Sequence, residues 1–462
     1  MLFIILTIGV FILSVYTFNQ ILFKGRWEYI VFFAALFFPV YITLISVVFS
    51  TTGSVQVLGV FQYLKEIMIF LAIICFFAYH RDFSSHPFRL GFIDYLFLGF
   101  YLLAFIFLLL PIGEATFLNK ALYFKNIVLM GIFFFFGRNT HFDLKESQNI
   151  FNVILFVGLM AFGLNLFEFL TNTHFQQHTG YSIFNEKINE IYPTGNYGLT
   201  WTFETQTTGK RFASFFSDPL ELAISSLLIF STALIMFLTT KREDAGKYLL
   251  LVFISFCILM FSSSRSSLVA WFVMCLYIAF VFRLYNIIFA VGVLTFGFAG
   301  YFIFFATEEF QYFIIDTVTF QNSSSLGHVV EWLAAIESII QNPQGIGLAM
   351  SGNVGSVDEE LRIGGENQFL VFGVQLGVLG MFLYILILIA SIIYCYKAFF
   401  MLKNLNEARI AFIASTVKFG CLLPLFTSNA EKFLFVSLLT WWMVGYTVNA
   451  MHRVKLNAIR HV

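Results

Sequence analysis

The chain has 462 residues with 26 Lys and Arg against 26 Asp and Glu, so its net charge is zero and no bulk field points to nucleic acid or another polyanion. Apolar residues make up 59%, aromatic residues 20% and charged residues only 11%. That balance excludes both a water-soluble globule and a disordered chain.

Crossing a bilayer core takes about twenty apolar residues. Thirteen such runs are read along the chain, at 2–22, 29–49, 57–79, 92–110, 118–137, 148–170, 216–240, 247–262, 267–283, 286–306, 366–396, 410–427 and 432–450. The expected fold is therefore an all-α polytopic membrane protein, a single transmembrane unit over 1–462 with 12–13 helices. Met1–Leu22 lacks a basic n-region and a small-residue cleavage site, and reads as a retained span. Cys75, Cys257, Cys275, Cys395 and Cys421 all fall inside apolar runs, where cysteine is a small packing residue.

Sixteen Lys and Arg residues, Arg81 and Arg89 among them, follow odd-numbered spans or lie in the C-terminal tail, against seven after even-numbered spans. The positive-inside bias then puts the even-numbered loops outside the cytoplasm. Two of these are long. The loop 171–215 is rich in Thr, Asn, Gln, Gly and Tyr, and 307–365 carries eight acidic residues against one basic residue, Arg362. Within the second, 326–341 reads as an amphipathic helix with a stripe of Val329, Leu333, Ile336 and Ile340, ended by Asn342-Pro343 and expected to lie on the bundle at the outer interface. No Walker motif, strand-borne GxGxxG or HExxH occurs, so nucleotide hydrolysis is not indicated.

Polar residues that need an explanation gather toward this outer side. Gly364-Gly365-Glu366-Asn367-Gln368 opens an apolar run, placing a carboxylate against the free N–H groups and positive dipole end of a helix. Arg211 ends the first long loop, and Arg265 lies in a serine run between two spans. Either arginine can be an interfacial anchor; together, beside small hydroxyl residues, they suit phosphate or diphosphate oxygens. Lys65 and Lys125 stand in the outer halves of their spans, with Glu66 and Glu168 in similar reach. Interhelical ion pairs or a water-filled cavity would account for them. His328 opens the loop helix, and His174 and His178 read as loop residues.

These residues resemble the O-antigen polymerase and O-antigen ligase superfamily over about 205–385. The family's Arg-x-x-Gly-x-Phe-x-x-Pro-Asn-x-x-Ala resembles Arg211 to Ala223, with Phe216 and Pro219 in step, Ser214 at the glycine and Leu220 at the asparagine. Its Ser-Arg-Gly resembles Ser264-Arg265-Ser266. A third block resembles Trp332, Asn342-Pro343, Gly345-Ile346-Gly347, Glu366-Asn367-Gln368-Phe369-Leu370 and Gly377 to Gly380. The chain departs from the pattern at Glu366, where the ligases have histidine, and at His328, where an arginine usually opens the loop helix. The first departure favours polymerase over ligase.

The resemblance implies a GT-C-like helical fold in the bacterial inner membrane, with the active site on the extracytoplasmic face. It implies inverting glycosyl transfer without metal or other cofactor. Donor and acceptor would both be undecaprenyl-diphosphate-linked oligosaccharides in the bilayer; a chain-length regulator and a flippase are the implied partners, and nucleic acid is not. Catalysis then falls to Glu366, Arg211 and Arg265, and substrate contact to Asn367, His328, Lys65, Lys125 and Lys210. A ligase moving polymer to another acceptor shares this chemistry. A lipid-linked oligosaccharide flippase or secondary transporter would instead show an internal repeat and midplane charges in both halves, and neither is seen.

Overall fold

The computed structural model describes residues 2–79, 90–205, 209–304 and 323–460, together with Thr307, Gln311, Tyr312 and Ile315. Arg81 and Arg89 from the charge count, and Glu308, Glu309 and Asp316 from the acidic loop, lie outside the described residues. Among the described residues the chain is helical, and extended pairing is confined to Glu204 opposite Lys210.

Helices α1 (Leu2–Phe23), α2 (Trp27–Thr52), α3 (Val55–Tyr79), α4 (Phe92–Leu109), α5 (Phe117–Asn139) and α6 (Leu144–Thr171) form the first half. A loop with the short helix α7 (Tyr181–Ile188) leads to α8 (Pro219–Thr239) and α9 (Arg242–Ser262). Then come α10 (Arg265–Val281), α11 (Tyr285–Phe304) and α12 (Ser323–Gln341). The chain closes with α13 (Gln368–Met401), α14 (Leu405–Thr427) and α15 (Leu434–Arg460). Eleven of these helices are long and apolar enough to cross a membrane among the described residues. Helices α10, with 17 residues, and α11 stand where the ninth and tenth spans were expected. The protein is a polytopic all-helical membrane protein.

The most buried spanning helix is α15, and its packing on α5 sets the centre. A Cβ at Gly137 would lie 2.1 Å from the Trp442 carbonyl oxygen, and one at Gly445 would lie 2.1 Å from that of Phe134. Glycine at both positions lets the two backbones touch, the usual device where lipid supplies no hydrophobic drive between helices. Trp441 and Trp442 are fully buried beside this crossing.

Helix α13 is two helices joined at a break. Gly377 has φ 73° and ψ −178°, and the residues after Asn342-Pro343 pair with the opened backbone. Ile346 and Gly347 donate to the Val374 and Gln375 carbonyls at 2.8 and 3.1 Å, and Val378 donates to that of Pro343 at 2.9 Å. The Gln375 side chain completes the seam, accepting from Ala349 N–H and donating to Ser351 O and the Tyr123 hydroxyl. Broken backbone at membrane depth is tolerated because another protein segment satisfies it. The glycines of the third motif block therefore build a scaffold.

Helix α12 packs against α13, but not through its apolar stripe. Leu333, Ile336 and Ile340 are exposed, while the packed face carries His328, Glu331 and Ala335, with Ile339 against Gly373. Periodicity identifies residues that share a face but not what that face meets; in a membrane protein an apolar stripe can meet lipid.

Candidate functional site

The loops 53–54, 110–116, 172–205, 209–218, 263–264, 342–367 and 428–433 share one end of the bundle. The first motif block is built on Glu168, buried near the end of α6. Its carboxylate accepts from Asn165 Nδ2 and from the backbone N–H groups of Phe175 and Ser214, at 2.9–3.0 Å. Ser214 takes a left-handed φ of 54°, a conformation that glycine adopts more readily than serine. Gln176 Nε2 donates to the carbonyls of Ser214 and Phe216, and the Asp218 side chain caps α8 ahead of Pro219.

This frame places Arg211 against the end of α9, where its Nε donates to the Ser262 carbonyl at 3.0 Å. Arg265, exposed, is the first residue of α10 just beyond. Burial pulls the Arg211 guanidinium below its ordinary value, Asp218 holds it up, and Arg265 lowers it further. It remains a cation. Two guanidinium groups that feel each other thus stand at the mouth of the α9–α10 helix pair.

At the other block the helix cap belongs to Asn367. Its Oδ1 accepts from the N–H groups of Phe369 and Leu370 at 3.0 and 3.2 Å, so α13 begins at Gln368 and Glu366 stands outside its first turn. Instead of facing the helix N–H groups, the Glu366 carboxylate meets His328 Nδ1. The two departures from the family pattern are thus in contact with each other. One turn along α12, Glu331 accepts from Arg362 Nη2 at 3.3 Å, and Arg362 Nη1 donates to Asn353 Oδ1. The lone basic residue of the acidic loop is tied to these two partners.

The lysines divide. Lys125 Nζ pairs with Glu66 Oε1 at 2.9 Å, linking α5 to α3. Lys210 donates to the Asn172 carbonyl and lies 4.9 Å from the Tyr197 ring centre. Lys65 borders a partly open cavity of about 430 Å³ lined by α2, α3, α5, the ends of α7, α8, α13 and α15, and loops of this end. Asp218, Glu221, Asn353 and Gln368 also line it. These four were not among the residues expected at the site. Asp218 had a sequence signal, since Asp-Pro before an apolar run reads as a helix start; Asn353 and Gln368 had none. Arg211, Arg265 and Glu366 stand outside the cavity wall, but Asp218 and Gln368 tie their motif blocks to it.

No curated protein matches the chain. Residues 250–385, from α9 through the break in α13, match a family model described as O-antigen ligase. That stretch takes in Arg265, His328 and Glu366 and leaves Arg211 outside. The match covers less than a third of the chain, and it supports a polysaccharide-related membrane enzyme of the O-antigen ligase superfamily.

Proposed function

We propose that the chain is a polysaccharide repeat-unit polymerase of GT-C type, acting at the extracytoplasmic face of a bacterial inner membrane. The observation that carries this reading is the Glu366–His328 contact within the matched stretch. A carboxylate positioned by a second group is suited to take a proton from a sugar hydroxyl.

The donor is a growing glycan on undecaprenyl diphosphate and the acceptor is a lipid-linked repeat unit. The acceptor hydroxyl attacks the anomeric carbon, its proton passes to Glu366, and a new C–O bond forms. The bond from the anomeric carbon to the diphosphate breaks, with its electron pair leaving on the diphosphate. Attack opposite the leaving group inverts the anomeric centre. Arg211 and Arg265 hold the diphosphate as its charge grows, a task for guanidinium groups fixed before the reaction. His328 orients the Glu366 carboxylate, and the cavity beyond Asn353 and Gln368 receives sugar.

The description of the matched family favours a second reading, a ligase that moves polymer to a different acceptor. Purified protein in nanodiscs, incubated with one lipid-linked repeat unit, decides between them. A ladder of products is expected. Transfer only to a different acceptor, such as a lipid A core, would assign the ligase, and no transfer to either would reject both.

A further inference from the structure

Three charges meet where α3 faces α5. Glu66 Oε1 is 2.9 Å from Lys125 Nζ and 4.0 Å from Lys65 Nζ. One carboxylate is shared by two ammonium groups, and the nearer one is Lys125, which leaves the trio with an unbalanced positive charge. Lys65 gains the face of Tyr41, 3.9 Å from its ring centre, but a ring attracts a cation without neutralising it. Among the described residues its Nζ has no hydrogen-bond acceptor, and its side chain, 18% exposed, borders the cavity. The charges that act on it are Glu66 and Lys125. The cavity's other charged residues are Asp218, Glu221, Glu431 and Lys432; Glu221 feels Asp218 and Lys432, Glu431 is paired with Lys418 at 3.4 Å, and none of the four acts on Lys65. An under-neutralised ammonium in a membrane helix marks a site for an anion.

Asn429 supplies a second, independent sign. It is 3% exposed and lines the same cavity, and its Oδ1 has no partner among the described residues. A buried amide oxygen left unpaired costs free energy until something donates to it. Occupants must therefore bring an anion for Lys65 and a hydroxyl for Asn429. The volume of about 430 Å³ lies within the range of small-ligand pockets, roughly 300–1,000 Å³.

We infer that this cavity is a subsite for an acidic sugar, whose carboxylate binds Lys65 while a hydroxyl donates to Asn429. The inference rests on the proposed function only in taking the substrate to be a glycan. The same charge could come from the diphosphate of the lipid carrier, so the test carries both sources.

Wild-type protein in nanodiscs is titrated with glucuronate, glucose and inorganic diphosphate, and binding is read by saturation-transfer NMR, which detects millimolar affinities. Glucuronate should bind about tenfold more tightly than glucose, the scale of one partly desolvated ion pair. Lys65→Met should abolish that preference. Glu66→Gln removes the shared counter-charge and should tighten glucuronate severalfold. Lys125→Met frees Glu66 for Lys65 and should weaken it. Opposite effects from neighbouring changes are not what general destabilisation gives, so they decide the matter even where Lys65→Met melts early. Equal binding of glucuronate and glucose, or a preference that survives Lys65→Met, overturns the inference. Diphosphate displacing glucuronate at lower concentration also overturns it, and assigns Lys65 to the carrier. Binding needs no turnover, so this result and the polymerase assay can fail independently.

Discussion

The two ends of the helix bundle handle charge in different ways. At the end carrying the loops 24–26, 140–143 and 402–404, arginines clamp helices together. Arg26 reaches Glu28 and Glu146 at 2.7 Å, Arg138 grips Asp94 with two bonds at 2.9 and 3.1 Å, and Arg453 meets Glu407 at 2.8 Å. Arg409 donates to Thr239, Thr240 and Asn406, joining α14 to α8. The opposite end also holds ion pairs, Lys125–Glu66, Arg362–Glu331 and Lys418–Glu431, but there Arg211 has a carbonyl for a partner, Lys65 shares a carboxylate already taken, and Glu366 meets an imidazole. A net charge of zero hides this contrast. The rule that places basic residues in the cytoplasm counts Lys and Arg rather than net charge, so paired arginines still contribute to it. Complete pairing favours a stable structure, whereas incomplete pairing leaves a capacity to bind.

If that contrast is sound, substitutions at the two ends should fail in different assays. The largest effect is expected from Arg138→Met, which leaves Asp94 buried without its counter-ion. Stranding one partner of a buried pair costs about 3–5 kcal/mol, so the melting temperature in detergent should fall steeply. Turnover per folded molecule should stay near wild type. Lost turnover with an unchanged melt would place chemistry at the clamped end and break the comparison.

Next is Glu366→Gln, which keeps shape and hydrogen bonding but cannot accept a proton. Turnover should drop by about a hundredfold or more, the usual scale for a positioned general base, with lipid-linked substrate still bound and the melt unchanged. Turnover close to wild type would reduce the Glu366–His328 contact to a loop tether.

Much of this architecture was legible because a bilayer imposes a length. Apolar runs marked the helices to within a few residues, and the starts moved most where caps decide them. The run around Phe369 suggested that Glu366 lay in a first turn, but the short Asn367 side chain caps the helix and leaves Glu366 outside. The seam between Gly345 and Gly377 was invisible in one dimension, because backbone groups make it and no side-chain pattern encodes those bonds. The choice of Lys125 over Lys65 by Glu66 was equally hidden, since it depends on how α3 and α5 face each other. The sequence picked out Arg211 and Arg265 because arginines beside small hydroxyl residues, on the side poor in basic residues, had few structural uses; that the two lie close enough to feel each other is set by the fold.

The smallest effect sharpens the comparison from within the cavity end, where not every polar group is kept for a ligand. His174 is fully buried among the rings of Tyr197, Phe203 and Phe212, and neither ring nitrogen has a partner among the described residues. Burial pushes its pKa from 6.5 down to about 4, Lys210 adds to the shift and Glu204 opposes it. The folded state therefore holds the imidazole neutral where an unfolded chain would protonate it. Its contribution to stability is complete above pH 6.5 and is lost as pH falls from 6.5 toward 4. The ceiling is about 3 kcal/mol at 1.36 kcal/mol per unit, and local opening of the loop should reduce the observed loss to about 1 kcal/mol. Burial alone would raise the Glu431 carboxyl, but Lys418 and the hydroxyl and indole donors around it hold it below its ordinary value. Its acid lability is common to wild type and variants. His174→Phe keeps a flat ring in the cluster and removes the titration. Between pH 6.5 and 4 the wild-type melting temperature should fall relative to that of His174→Phe, and below pH 4 the gap between the two curves should stop widening. Parallel curves throughout would mean that the imidazole is already solvated, and that other contacts, those of Glu168 and Gln176 among them, hold the first long loop.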